Sequence, residues 1–146
     1  MYYIGYDIGS SSIKVALVNA KNNQEVAVLS EPKNEMSIKA VQSGWAEQDP
    51  EMWWKHLCVA TKRIISIAKI DSNEILAIGI SYQMHGLVVV DKDKRSLRDA
   101  IIWCDSRAVS IGEKAASDIG ETKYGIHLLN APGNFTASKL KWVKEN

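Results

Sequence analysis

A turn of small and polar residues near the start of the chain has the composition of a phosphate-binding loop. Residues 7–14 read DIGSSSIK and join two apolar segments. The glycine allows a tight turn, the hydroxyls and exposed amides can donate to phosphate oxygens, and the lysine adds positive charge. The aspartate can hold a hydrated magnesium ion that bridges phosphate oxygens. An ordinary hairpin explains the motif equally well, and the candidate phosphate ligands are Asp7, Gly9, Ser10, Ser11, Ser12 and Lys14.

A second candidate is the loop at residues 83–86, which reads QMHG and follows an apolar segment ending near Ser81. Loops at strand ends are where α/β proteins commonly bind ligands. His85 offers a donor and an acceptor to a sugar hydroxyl, and Gly86 would let a ligand approach closely. The alternative is a histidine satisfied by neighbouring carbonyl groups, which is the more frequent case for a lone histidine.

A third candidate, WCDSR at residues 103–107, lies between a predicted strand and a predicted helix. Asp105 can cap that helix and Arg107 can pair with a carboxylate, or the segment can contact a substrate directly. We expect Trp103 to lie in the core. Trp45 lies in a polar loop and is the tryptophan better placed to stack on the C–H face of a sugar.

The elements that must position these residues follow from hydrophobic periodicity and turn residues. The first three strands form an antiparallel meander, and a Pro-containing start at residues 49–51 predicts the first helix. A left-handed cap is expected at Gly120. Strands are predicted at residues 2–8, 13–18, 26–29, 75–80, 87–90 and 100–103, and helices from Pro50, from Ser106 to Ile119 and from Thr136 onward.

Composition narrows the possible partners. The chain of 146 residues has a net charge of +1, so it lacks the positive field that holds nucleic acid or acidic lipid. Its two cysteines, Cys58 and Cys104, lie in apolar runs and are typical of reduced thiols in a cytoplasmic protein. No apolar run approaches the ~18 residues of a membrane span. The motifs GxxxxGKS/T and GxGxxG are both absent, which argues against P-loop and protein-kinase phosphate sites.

Five short motifs together resemble the FGGY family of carbohydrate kinases over nearly the whole chain. The QMHG form is similar to that of xylulokinases, whereas glycerol kinases carry Arg-Glu where Met84 and His85 stand. Kinases for gluconate or ribulose stay open. The motifs are DIGSS at 7–11, WAEQDP at 45–50, QMHG at 83–86, WCDSR at 103–107 and FTASKLKW at 135–142.

The resemblance implies an α/β fold that is actin-like and ribonuclease-H-like, of the ASKHA superfamily, in which two domains enclose ATP and sugar. Residues 1–146 would form the N-terminal part of domain I, a β-meander followed by alternating helices and strands. It implies conversion of D-xylulose to xylulose 5-phosphate with ATP and Mg²⁺, the magnesium positioned by Asp7. The substrate contacts it implies are Met84, His85, Asp105, Phe135 and Thr136.

The resemblance also implies that the catalytic aspartate lies beyond Asn146, so no residue of this chain is assigned as the base. We therefore expect residues 1–146 alone to be inactive, and their apolar strands to favour a homodimer. Two alternatives stay open: a kinase for another sugar or polyol, and a non-catalytic actin-like module that binds nucleotide or a partner. A heat-shock-type or actin-type ATPase fragment would not explain residues 83–86.

Overall fold

The computed structural model describes all residues from 1 to 146 and divides them into two compact units. The first unit comprises residues 1–37 and 50–83, and the second comprises residues 38–49 and 84–146. The strands are β1 (Tyr2–Ile8), β2 (Ile13–Asn19), β3 (Glu25–Glu31), β4 (Glu47–Gln48), β5 (Ile75–Tyr82) and β6 (Ala100–Ile101). The helices are α1 (Pro50–Ala68), α2 (Val109–Ile119), α3 (Glu121–Leu128) and α4 (Thr136–Glu145).

The first unit is built on a four-stranded sheet in the order β3-β2-β1-β5. The predicted meander of β1, β2 and β3 is confirmed, and β5 joins β1 in parallel. Alternate residues of β1 and β2 point to one face, where α1 packs, because side chains of a strand alternate between faces. The buried cluster between sheet and helix consists of Ile4, Tyr6, Ile13, Val15, Leu17, Met36, Ala60 and Ile64.

Strand β5 exposes apolar side chains on the face that carries α1. Ile78 pairs with Ile4 and Ile80 pairs with Tyr6, yet Ile78 and Ile80 are 63% and 60% exposed. With Trp54 of α1 they line a groove of about 360 Å³. The apolar surface expected from the sequence is therefore present on β5. No helix of the protein is both long and apolar enough to cross a membrane.

The second unit has a small antiparallel ribbon of β4 and β6, and its helices α2 and α4 pack on each other and on the 3-10 turn Pro132–Asn134. Its interior includes Ala100, Ile101 and Ile102, which are fully buried. Helix α2 approaches the 3-10 turn Pro132–Asn134 so closely that only a glycine fits at position 112. A Cβ atom there would lie 2.3 Å from the Cα of Gly133. This close approach sets the position of the segment that leads into α4.

Several predicted boundaries in the second unit are wrong. Residues 87–90 form no strand but two single bridges, Leu87 with Ile101 and Val90 with Ser96, and Val88 and Val90 are exposed. The strand predicted at 100–103 has only two residues. Helix α2 begins three residues after Ser106, and helix α3 was not predicted. Gly120 does end α2 at a positive φ of 87°, but its ψ of 140° is not that of a left-handed cap.

Candidate functional site

The predicted phosphate turn joins β1 to β2 and carries a charged pair at its base. Asp7 and Lys14 are cross-strand partners, so their side chains share one face of the sheet. The Lys14 ammonium lies 3.9 Å from an Asp7 carboxylate oxygen, and both side chains are more than half exposed. Together with Ser81 they line a shallow cavity of about 380 Å³. The pair is thus accessible to a ligand from solvent.

Backbone geometry explains the glycine of this turn. The Gly9 amide donates to the Ser12 carbonyl oxygen over 3.1 Å, which closes the turn. A Cβ atom at position 9 would lie 3.1 Å from that same oxygen, tighter than most Cβ contacts. Exposed Ser11 and half-buried Ser12 complete a short polar loop. The segment can present amides and hydroxyls to an anion without rearranging the strands.

The residues of the turn also fit a magnesium ion held through phosphate. The structure has no group of three or more His, Cys, Asp and Glu side chains able to hold a metal by themselves. Magnesium usually keeps several waters and binds one or two carboxylates plus substrate phosphates, so it needs no such cage. The accessible Asp7 carboxylate at the strand end is a donor of the right type.

The second candidate loop holds His85 in an uncommon backbone conformation. Its φ is 62°, in the left-handed region that few residues other than glycine adopt. The His85 ring stacks on Phe135, with centroids 4.6 Å apart and planes 15° from parallel. Stacking covers the face of the imidazole and leaves its two nitrogens at the edge to form hydrogen bonds. Strained residues of this kind cluster at ligand sites.

Three loops of the second unit meet at this point. The Thr136 hydroxyl donates to the Gly86 carbonyl oxygen over 3.3 Å, and the Asn134 side-chain amide donates to the Trp103 carbonyl oxygen. The Lys139 ammonium donates to the carbonyl oxygen of His85 over 2.8 Å. Residues 84–86, 103 and 134–136 therefore form one cluster, although they come from separate parts of the chain.

Asp105, two residues after Trp103, lies in a buried ionic network. Its side chain is fully buried, and both carboxylate oxygens accept hydrogen bonds from Arg107, while one also accepts from the Ala46 amide over 2.6 Å. Arg107 also donates to Glu47. Burial by itself would raise the pKa of Asp105, but the hydrogen bonds from Arg107 and Ala46 hold that pKa below its ordinary value of 3.8. The Asp105 carboxylate is therefore hydrogen-bonded to other groups of the protein, and a contact between Asp105 and a substrate stays a prediction.

The guanidinium of Arg107 also covers Trp45. Its central carbon lies 3.8 Å from the centroid of the Trp45 ring, and the Trp45 and Trp142 rings form a T-shaped pair with centroids 5.2 Å apart. One face of Trp45 is therefore occupied by a cation from the same protein. Trp45 packs on the ionic network by that face, and its stacking on a sugar stays a prediction.

Comparison with known proteins decides the family. Residues 2–146 match the FGGY family of carbohydrate kinases, N-terminal domain. The xylulose kinase of Bacillus subtilis (strain 168) is 35% identical over 99% of this chain, and that of Escherichia coli (strain K12) is 33% identical over the same share. The chain belongs to the FGGY family of carbohydrate kinases.

Solved structures of FGGY kinases share the fold. A kinase from Brucella ovis, described as a xyloylose kinase, is 31% identical over 100% of this chain, with a TM-score of 0.86. Gluconate kinase from Lactobacillus acidophilus is 28% identical over 98% of it, with a TM-score of 0.81. The predicted actin-like α/β fold is confirmed. The chain spans 28% of the length of both xylulose kinases and 30% of the Brucella structure.

The site residues expected from the FGGY resemblance are divided between the two units. All six phosphate candidates lie in the first unit, and all five substrate candidates lie in the second. Met84 is 69% exposed and His85 is half-buried, so both are accessible.

The sequence did not predict the exposure of Trp103 or the burial of Lys139. Trp103 was expected in the core but is 50% exposed, because it follows the last residues of β6 rather than lying within a strand. Its place in the WCDSR motif was the signal that could have found it. Lys139 lies in the FTASKLKW motif, but no local signal marks it as buried, because its contacts come from a loop 54 residues away.

Proposed function

We propose that the protein containing this chain is an ATP-dependent kinase that transfers the γ-phosphoryl group to the terminal hydroxyl of D-xylulose. FGGY kinases are carbohydrate kinases that use ATP, and relatives named xylulose kinase are about a third identical to this chain. The observation that carries the proposal is the left-handed His85, stacked on Phe135 in an accessible loop. In this proposal residues 1–146 are the N-terminal part of the first of two domains.

On the sugar side, the edge of the His85 imidazole donates to or accepts from a sugar hydroxyl. Met84 supplies an exposed apolar contact beside it. Phe135 holds the His85 ring and Thr136 holds the loop through Gly86, so both act next to the sugar. Asp105 fixes the segment after β6 through its hydrogen bonds with the Ala46 amide and Arg107.

On the phosphate side, Gly9 closes the turn, the amides and hydroxyls of residues 10–12 donate to phosphate oxygens, and Lys14 attracts their charge. Asp7 would hold a hydrated magnesium ion. Bound magnesium would neutralise charge that develops on the phosphate oxygens. Phosphoryl transfer depends on positioning and charge stabilisation, so these residues serve to orient the nucleotide. No residue of this chain is assigned as the base.

A substrate panel tests the proposal. We expect the purified full-length protein to release ADP with D-xylulose at a higher kcat/KM than with D-ribulose, gluconate or glycerol. Release of xylulose 5-phosphate identifies the product. A higher kcat/KM with gluconate or ribulose would identify that compound, instead of D-xylulose, as the preferred substrate. Absence of ATP-dependent phosphorylation with every sugar would favour a non-catalytic module instead.

Replacing His85 by alanine in the full-length enzyme is expected to lower kcat/KM for D-xylulose roughly tenfold, since a hydrogen bond to a substrate contributes about 1 kcal/mol. The KM for ATP should stay unchanged. The matched control is His127→Ala, which removes an exposed imidazole of helix α3 in the same unit. An unchanged KM and turnover for the sugar would remove His85 from the site.

Replacing Asp7 by asparagine is expected to lower turnover roughly tenfold or more, because a neutral amide holds the hydrated cation poorly. The magnesium concentration for half-maximal rate should rise, while the KM for sugar changes little. Asp93→Asn removes an equal charge from an exposed turn and serves as the control. Wild-type turnover together with wild-type magnesium dependence would refute the role of Asp7.

A further inference from the structure

Lys139 is a lysine buried without an ion pair. It is 0% exposed, and no carboxylate lies within ion-pair distance of its ammonium. Its two hydrogen bonds go to carbonyl oxygens, 2.8 Å from His85 and 3.3 Å from Asn134. Burying an ammonium is costly unless its hydrogen bonds compensate, and an apolar side chain of similar length would fill the space more cheaply. Packing alone therefore does not explain a lysine here.

The charges around Lys139 do not offset this cost fully. Burial lowers the pKa of Lys139, the nearby Asp105 and Cys104 oppose that effect, and Arg107 adds to it. Asp105 is at the same time engaged by the Arg107 side chain. The ammonium is thus held mainly by the carbonyl groups of two loops.

The two carbonyl groups belong to the two loops of the proposed sugar site. One is that of His85, whose left-handed backbone needs surrounding contacts to persist. The other is that of Asn134, directly before Phe135, on which the His85 ring stacks. Besides this stacking, the two loops are linked by the weaker hydrogen bond from Thr136 to the Gly86 carbonyl. Charge-assisted hydrogen bonds are the stronger kind.

We infer that Lys139 is a positioning residue of the sugar site, which clamps the loop of His85 to the loop of Asn134 and Phe135. It touches no substrate, since its side chain is wholly buried. It acts by fixing the direction in which the edge of the His85 imidazole faces. The inference rests on the proposed function for its consequence in catalysis, but the clamp itself is a property of the fold.

The clamp is tested by hydrogen exchange on the full-length protein without substrate. In Lys139→Met, amides of residues 84–88 and 131–137 should exchange at least roughly tenfold faster than in the wild type. The control is Lys141→Met on the same helix, whose exposed side chain pairs only with Glu145. Faster exchange confined to those two loops supports the clamp. Unchanged exchange there, or equally faster exchange over the whole second unit, overturns it.

The consequence for catalysis is tested by steady-state kinetics. We expect Lys139→Met to lower kcat/KM for D-xylulose roughly tenfold to a hundredfold, with the KM for ATP unchanged, because two charge-assisted hydrogen bonds are lost. Equal losses for sugar and ATP would mean a general structural role and overturn the inference. A wild-type enzyme without sugar turnover would contradict the proposed function, while the exchange experiment would still decide the clamp.

A double-mutant cycle separates positioning from simple loss of stability. If Lys139 acts through His85, adding Lys139→Met to His85→Ala should cost much less than it costs the wild type. Additive losses would overturn the inference. Should Lys139→Met not fold, Lys139→Gln keeps a donor at a shorter reach and takes its place in both experiments. A Lys139→Gln variant with wild-type exchange in both loops and wild-type sugar kinetics would likewise overturn it.

Discussion

Replacing Arg107 by methionine is expected to destabilise the second unit by about 3 to 5 kcal/mol, because it leaves the buried Asp105 carboxylate without its cationic partner. The side chains of Arg107 and Asp105 are 1% and 0% exposed, so water cannot take the place of the lost bonds. Glu47 loses a donor in the same substitution. Native-state hydrogen exchange at the Ile102 amide, which donates to Ala46, measures the free energy of opening.

The loss in Arg107→Met should depend on pH. In the wild type the pKa of Asp105 lies below 3.8, so its contribution to stability is present above that value and is lost only as the pH falls through the lower pKa. Without Arg107, burial dominates and raises that pKa, so the carboxylate takes up a proton on folding in mild acid. The deficit should therefore be largest near neutral pH and smaller at about pH 5.

The control for this substitution is Arg95→Met, which removes an exposed arginine of the same unit that forms no ion pair. We expect its free energy of opening to stay within about 0.5 kcal/mol of the wild type. A deficit below about 1 kcal/mol in Arg107→Met, or one that grows in acid, would contradict the account of this network.

Replacing Gly112 by alanine is expected to cost at least about 2 kcal/mol and to disturb the sugar site as well. The added methyl group would lie 2.3 Å from the Cα of Gly133 and 2.4 Å from the Pro132 carbonyl oxygen. Both are backbone atoms, which cannot rotate away as a side chain would. The turn must shift, and it leads directly into Asn134 and Phe135. We therefore expect the KM for sugar to rise in the folded fraction of the enzyme.

Gly125→Ala is the matched control for Gly112→Ala. Gly125 lies in helix α3 of the same unit, and a Cβ atom there meets no atom within 4 Å. Alanine at an open helical position should stabilise the protein by roughly 0.5 to 1 kcal/mol. Thermal unfolding and sugar kinetics of both variants measure the difference. Similar stability and similar KM for the two variants would show that the turn adapts, against this expectation.

The elements that sequence alone predicted are those whose signals are local. The meander of β1 to β3 follows from alternating apolar residues separated by short turns, and α1 begins at the predicted Pro50. Helix α4 likewise begins at Thr136 as predicted. The short motifs were enough for the family, because their order and spacing are properties of the sequence itself.

Local signals failed where neighbours in space decide the outcome. The four apolar residues 87–90 predict a buried strand, but they form only isolated bridges because no adjacent strand is available over their full length. Helix α3 has no regular apolar stripe, and none of its residues is buried. An apolar run indicates that a segment can be buried, but the surrounding fold decides whether the segment is buried.

The same distinction applies to the candidate site. Sequence identified the loops at residues 83–86, 103–107 and 135–136, because their residue types and places at element ends are read one segment at a time. Only the tertiary structure brings Lys139 to a carbonyl 54 residues away and Arg107 to a carboxylate 60 residues away. Such long-range contacts form only when the chain closes around a packed core. The periodicity of apolar residues indicates local secondary structure and does not show which distant segments meet.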